Sequence, residues 1–282
     1  MYSALMIDLK KSREYSLKNR ESIQQYIFQA CGVLNKLFPC VREVEFSAGD
    51  EIQGLFSTPA EAYLYFRLFA MLVHPVKFRA GIGVGTWDIK IDNAGSPAQD
   101  GEVYYRARQA ISEADELEGY PVLYCSGKKI DTVINSLIGG AAGMGERMNS
   151  YQNELMLLTE MLSPLDANQK LDIGSMSEIK ELIAYKSEID FYKADRKANK
   201  KYPFDSSLGD DLLDSTFRVD VAETEDTFYI TSGRQRGLPS KLAGIMGISR
   251  QSVEKTLKTS NIFVARNMSI SALKVMPETK DK

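Results

Sequence analysis

The chain is poor in the residues that carry most metal and redox chemistry: of 282 residues, one is histidine and three are cysteine. A single histidine, His74, excludes multi-histidine metal sites and histidine relays. Cys31, Cys40 and Cys125 are too few and too scattered for a disulfide framework or a zinc site, and this usage fits a reducing cytoplasm. Long apolar runs are lacking too. No stretch approaches the roughly 18 apolar residues of a spanning helix. The opening MYSALMIDLKKSR puts Asp8 ahead of its basic run, the reverse of a secretory signal. These absences predict a soluble, cytoplasmic protein without membrane insertion. No sign of charge dominates, with 35 Lys and Arg against 38 Asp and Glu, so a wholly basic nucleic-acid coat is excluded.

What is present is ordinary globular material: 44% apolar and 26% charged residues, enough for a core and a length that fits about two domains. The charge is unevenly placed. From Tyr229 onward ten basic residues face three acidic ones, a surplus of seven, so the preceding 228 residues carry −10. A small basic module joined to a larger acidic part implies different partners for the two.

Along the chain, 2–8 reads as an apolar strand ending at Asp8. Apolar spacing over 21–37 predicts a helix, 44–56 a hairpin around a Gly-Asp turn, and 60–73 a second helix behind Pro59. Residues 77–91 are β-like with glycines at 81, 83 and 85, 101–117 form a third amphipathic helix, and 120–126 a strand. This order describes an α+β sheet carrying packed helices. The glycine-rich 139–150 reads as a flexible joint, 153–163 and 177–201 as helices, and 205–215 as an acidic loop or cap. The divisions expected are 1–138, a helical connector over 139–228, and a basic module over 229–282.

If the first strand and the hairpin are neighbours, Asp8, Asp50 and Glu51 converge at one sheet edge. Clustered carboxylates tolerate one another when one protonates or a cation sits among them. Magnesium suits such a set, completing its shell with water and phosphate oxygens. The plainer reading is a tight turn and a strand-ending cap. Lys10, Lys11, Ser12 and Arg13 form either a phosphate cradle or a solvated basic turn. Tyr104 and Arg108 share one helix face. Arg108 then reaches a triphosphate or pairs with Glu113 or Asp115. The run RAGIGVG (79–85) lacks the features of a phosphate loop and reads as a close-packed strand. His74 and Trp87 are given no catalytic part.

The strand ending at Asp8, GDEIQGLF (49–56), FRAGIGVG (78–85) and DGEVYYRARQAI (100–111) together resemble the SatD family, over most of 1–125 and in the C-terminal module. More distantly, this part resembles the palm-like domain of class III nucleotidyl cyclases and GGDEF-type enzymes, which implies a ferredoxin-like, nucleotidyl-cyclase-like sheet-and-helix domain. That resemblance implies metal ligands at Asp8 and Asp50, with Glu51 beside them and a backbone carbonyl from Leu9. It implies a nucleoside triphosphate or cyclic nucleotide as ligand near Lys10, Lys11, Ser12, Arg13, Asp100, Tyr104 and Arg108. Arg108 falls where the cyclases carry a transition-state arginine, and a homodimer is the implied assembly. Tyr104 departs from the pattern, standing where those enzymes carry Asn, and Phe46 replaces a polar base-selecting residue. Either the substrate differs or nucleotide is bound without being converted.

The segment 238–260 has the pattern of a helix-turn-helix. Leu242, Ala243 and Met246 form one apolar face, Gly247 permits the turn, Ser249 caps the next helix, and Val253 and Leu257 point inward. Ser249, Arg250, Gln251, Ser252, Lys255 and Lys258 are the candidate DNA contacts. Packed helices with no DNA role are the plainer alternative, and 261–273 adds a trailing helix or a wing. The function expected is a nucleotide- or metal-nucleotide-responsive DNA-binding regulator. The alternatives are a magnesium-dependent nucleotidyl cyclase or nucleotidyltransferase, and an interaction protein that docks a partner through its helical middle.

Overall fold

The computed structural model describes residues 1–167, 176–198, 218–224 and 237–276. The acidic segment 205–215 lies outside the described residues, as do 199–201 and 229–236. The chain runs β1 (Tyr2–Leu9), α1 (Leu17–Leu37), β2 (Arg42–Ala48), β3 (Glu51–Phe56), α2 (Pro59–Val73), β4 (Phe78–Gly85), α3 (Glu102–Glu116) and β5 (Val122–Cys125). Then follow α4 (Asp131–Glu146), α5 (Ser150–Leu162), β6 (Leu165–Asp166), α6 (Met176–Lys186), α7 (Asp190–Ala198) and β7 (Val219–Asp220). Three helices close the described chain: α8 (Leu238–Met246), α9 (Arg250–Thr259) and α10 (Ile262–Val275). The result is a mixed α+β protein.

The helix starts are written locally. Ser16 caps α1 by accepting from the Asn19 amide, which moves the start ahead of residue 21. Thr58 and Glu61 form a capping box on α2 with Pro59 in its first turn, and Asn149 and Gln152 do the same for α5. The hairpin turns at Gly49 and Asp50, where Gly49 takes the left-handed φ of 63° that a tight turn needs.

Five strands form one sheet in the order β2-β3-β1-β4-β5, with β1 antiparallel to both neighbours and β4 parallel to β5. Strand alternation separates two faces. Leu5, Ile7, Ile52, Phe56, Ala80 and Ile82 look toward α1 and α2, whereas Ala4, Met6 and Leu55 look toward α3. On the α3 face β4 shows Gly81 and Gly83. A Cβ at Gly83 would strike the backbone N of Ala107 and the carbonyl of Val103, and one at Gly81 would strike the Ala107 carbonyl. The glycine strand thus lets the backbone of α3 lie directly on the sheet.

On the opposite face one continuous core runs from Leu5 and Phe66 through Leu157 and Tyr192 to Met246 and Ile270, joining the sheet to the helical middle and to the last three helices. The segment 139–150 is not a joint. Residues 131–146 are helical, so the division expected at 138/139 falls inside α4. The glycines there serve close packing: Gly139 faces the Tyr120 ring and Gly140 faces Met268 of α10. The charged 177–198 stretch forms two helices that bury Ile179, Leu182, Ile183 and Tyr192 beside α1. The trailing segment is helical.

Candidate functional site

Three strands bring three charged side chains into one row on the α3 face. Asp8 of β1 stands opposite Glu51 of β3 on one side and Arg79 of β4 on the other. All three share the alternation that points Ala4, Met6 and Leu55 to α3. From above, α3 adds Arg108 and Asp115. Arg79 donates from Nε to Asp8 Oδ2 at 2.9 Å and also pairs with Asp115. Arg108 grips Glu51 with two nitrogens, Nη2 to Oε1 at 2.8 Å and Nη1 to Oε2, the fork geometry of a strong charge-assisted pair. Ser47 Oγ donates to Glu51 Oε1 at 2.8 Å. Asp50, in the turn, is near enough to act on Asp8 electrostatically.

The two facing carboxylates respond oppositely. Burial raises the Asp8 pKa, the neighbouring Asp50 and Glu51 charges add to it, and Arg79 only partly opposes the rise. Burial also pushes Glu51 upward, but the bonds from Arg108 and Ser47 and the charges of Arg108 and Arg79 outweigh it, leaving its pKa lowered. The row holds carboxylates in excess over arginines, and Arg108 remains half exposed at 52%. Solvent therefore reaches the row, with Asp8, Glu51 and Arg79 each partly exposed.

The remaining predicted residues fall around this row with unequal success. Leu9 is buried at the end of β1, opposite Phe78. The Lys10 amide donates to the Lys77 carbonyl at 2.9 Å, and the Lys10 charge acts on Glu146, away from the carboxylate row. Lys11 takes a φ of 57° and pairs with Glu14, while Ser12 is buried in a short 3-10 turn and Arg13 is exposed. Tyr104 is not brought to the carboxylates. It is buried under α3 with its hydroxyl 3.3 Å from Ser96 Oγ. Asp100 precedes α3 and accepts from the Gly101 amide and the Tyr105 hydroxyl. It therefore sits ahead of the N-terminus of α3, whereas Arg108 lies in the second turn of the helix. Arg108 pairs with Glu51, and with neither Glu113 nor Asp115. Phe46 packs against the core on the opposite face.

Sequence reasoning missed Arg79, the residue that holds Asp8. Its signal was present: 79, 81, 83 and 85 share one strand face, so a residue beside the glycines must lie under α3. Also missed was a sealed cluster on the far side of the sheet, where Arg67 of α2, Glu160 of α5 and Arg266 of α10 meet. Arg67 Nη2 lies 2.7 Å and Arg266 Nη1 2.5 Å from Glu160 Oε1. A charge set inside an apolar run, as Arg67 is in LYFRLFAMLV (64–73), was the available clue.

The last helices form a second surface. α8 ends at Gly247, whose φ is 60°, and Ser249 caps α9 by accepting from the Ser252 amide at 3.2 Å. α9 buries only Val253 and Leu257, leaving Arg250, Gln251, Ser252, Glu254, Lys255 and Lys258 exposed. Arg250 Nε pairs with Glu254 at 2.7 Å.

Fold and site together define a mixed α+β protein with a carboxylate–arginine row beneath one helix and a basic helical surface at its far end. A model of the SatD family (SatD) matches residues 2–202, and the chain belongs to that family. The match stops short of α8. No curated protein matches. Among solved structures with some likeness are two of a bacterial light-regulated adenylyl cyclase, at 12% and 11% identity and a TM-score of 0.33 each. They cover 44% and 45% of this chain and 74% and 45% of their own. Among the described residues no helix is long and apolar enough to cross a membrane.

Proposed function

We propose that this protein is a DNA-binding transcriptional regulator whose sheet domain responds to a nucleotide. One observation carries the reading: α9 is anchored by two apolar residues, follows a three-residue Gly-Ile-Ser turn, and holds Arg250, Gln251, Ser252, Lys255 and Lys258 in solvent. That is the disposition a helix-turn-helix needs to put arginine and glutamine against base edges and lysine against phosphate, with Ser249 at the helix start. The basic surplus after Tyr229 supports it, and the module is read as 229–282. Fluorescence anisotropy against genomic fragments tests the reading. Affinity should fall with salt, with a log–log slope of about −0.9 per phosphate contact, and Lys255→Ala should reduce that slope by about 1. Absence of binding at low salt, or binding unchanged in Arg250→Ala with Lys255→Ala, rejects it.

For the sheet domain, β1 to β5, the βαββαβ order with β1 central supports a ferredoxin-like, nucleotidyl-cyclase-like reading. Arg108 and the carboxylates of the row are its nucleotide-facing groups. Among the described residues no group of three or more acidic, cysteine or histidine side chains is arranged as a metal site. Asp8 and Glu51 face arginines, so they fit a divalent ion only in exchange for Arg79 and Arg108. In that exchange Asp8, Asp50, Glu51 and the Leu9 carbonyl would hold magnesium, which would neutralise phosphate charge. Arg79 and Arg108, once released, remain beside the site as phosphate donors. Titration with a nucleoside triphosphate, with and without magnesium, tests this: binding should require Asp50 and Arg108.

A second reading is favoured by the same row: a magnesium-dependent cyclase or nucleotidyltransferase, built as a homodimer. Incubation with each triphosphate and magnesium or manganese, read by mass spectrometry, separates it from the first. A product lost in Asp50→Asn supports turnover, and no product from wild-type protein leaves the regulator.

A further inference from the structure

Arg250 is the first residue of α9, at the positive end of the helix dipole. Its partner is Glu254, one turn further on, and Arg250 Nε donates to Glu254 Oε1 at 2.7 Å. Helix stability does not account for this pair. A cation at a helix start is disfavoured, and a basic residue placed ahead of its acid at this spacing is the weaker of the two orders. The two side chains are 65% and 45% exposed, where an ion pair adds little.

Charge balance does not account for it either. Between Tyr229 and Pro277 eight basic residues stand with a single acid, and that acid is Glu254. Val253 and Leu257 mark the inner face of α9, and Glu254 lies outside it with Arg250, Gln251 and Lys255. It therefore shares the surface and the helix end that reach base edges in a helix-turn-helix. An acid facing a polyanion weakens binding by repulsion, so a role other than affinity is needed.

Geometry supplies one. A guanidinium has a side edge, formed by Nε and one Nη, and an end edge, formed by both Nη groups. Glu254 takes the Nε. Among the described residues no hydrogen bond occupies either Nη, so the end edge is left as a fork of two donors. In the major groove guanine alone presents two adjacent acceptors, O6 and N7, to such a fork.

We propose that Glu254 is a positioning residue that turns Arg250 end-on toward a guanine, so that the DNA bound by α9 carries a G·C pair at the Arg250 position. This rests on the helix-turn-helix reading above. Glu254 contacts no base itself: it holds Nε, and its repulsion of phosphate weakens sequence-indifferent binding, so both effects raise discrimination.

The test uses the full chain. Duplexes are selected from a random pool, and anisotropy at fixed salt compares the selected duplex, versions with each G·C pair in turn replaced by A·T, and a scrambled duplex. Wild type should show a G·C pair whose replacement weakens binding about tenfold, the size of a bidentate base contact. Guanine replaced there by 7-deazaguanine, which lacks the N7 acceptor, should weaken it too. Glu254→Ala should lose most of this preference while its affinity for the scrambled duplex holds or tightens. Glu254→Gln, which keeps an acceptor for Nε, should retain the preference, and Arg250→Lys, which keeps the charge without the fork, should lose it. DNA binding with no guanine-sensitive position, or a preference undiminished in Glu254→Ala, overturns the proposal and leaves the DNA-binding reading standing. Equal losses on selected and scrambled duplexes in Glu254→Ala also overturn it, since a merely structural residue would act that way. Failure of wild type to bind any duplex at low salt rejects the helix-turn-helix reading, and this proposal with it.

Discussion

The two faces of the sheet each carry an arginine–carboxylate cluster, and the clusters behave in opposite ways. On the α3 face the acids Asp8, Asp50, Glu51 and Asp115 outnumber Arg79 and Arg108, water reaches the row, and Asp8 is driven upward in pKa. On the opposite face Arg67 and Arg266 outnumber Glu160, water is excluded, and the Glu160 pKa is lowered even though burial pushes it up, because both arginines outweigh burial. The same pairing chemistry therefore serves two ends. Where solvent enters and acid is in excess, the pairs are screened and contribute little to stability. Where solvent is excluded, the pair fixes α2, α5 and α10 to one another.

The largest effect should come from breaking the sealed cluster. Glu160→Gln leaves two buried guanidiniums without a counter-charge, and a loss of about 3–5 kcal/mol is expected in urea denaturation. The pH dependence follows from the lowered pKa: the contribution of Glu160 is present above 4.5 and disappears as pH falls through its depressed folded value. A change within about 0.5 kcal/mol, the range of an ordinary surface substitution, would remove the contrast between the faces. Next in size is Gly83→Ala on the α3 face. The new methyl meets helix backbone at Ala107 and Val103, which cannot rotate away, so about 1–3 kcal/mol should be lost as α3 lifts from the sheet.

Much of this architecture could be read from residue pattern. The order of strands and helices through 126 follows from periodicity, because a period of two or of 3.6 marks an element whose one face is buried. The convergence of Asp8, Asp50 and Glu51 followed from a strand end and a tight turn. What escaped was long-range. That Arg79 would lock Asp8 depends on α3 descending onto the glycine strand, and that Arg67, Glu160 and Arg266 would meet depends on three helices brought together across 199 residues of sequence. The glycines of 139–150 misled because glycine favours turns locally, whereas here they admit Tyr120 and Met268 at a helix surface.

That helix surface gives a smaller test of how the faces pack. Gly140→Ala places its methyl against the Cε of Met268, the mobile end of a flexible side chain. Replacing glycine inside a helix gains roughly 0.5–1 kcal/mol, which offsets the small repacking cost, so stability should change by less than about 1 kcal/mol. A loss as large as that of Gly83→Ala would mean that α4 and α10 are packed as rigidly as α3 on β4.

The smallest stability effect should come from Asp8→Asn, and its sign is the informative part. The Asp8 pKa is raised in the fold, so its favourable contribution is complete below the ordinary 3.8 and is lost as pH rises through the raised folded value. At neutral pH the ionised carboxylate is therefore a burden relieved by the amide, which still offers Arg79 an acceptor while Asp115 keeps its own contact. Melting temperature at pH 7 should stay level or rise slightly, and the difference from wild type should vanish below pH 3.8. Nucleotide binding should meanwhile fall sharply. A carboxylate that weakens the fold where it works is expected at a ligand site and not in a structural pair. If Asp8→Asn were instead destabilised and bound nucleotide normally, Asp8 would join Glu160 among the groups that hold the chain together.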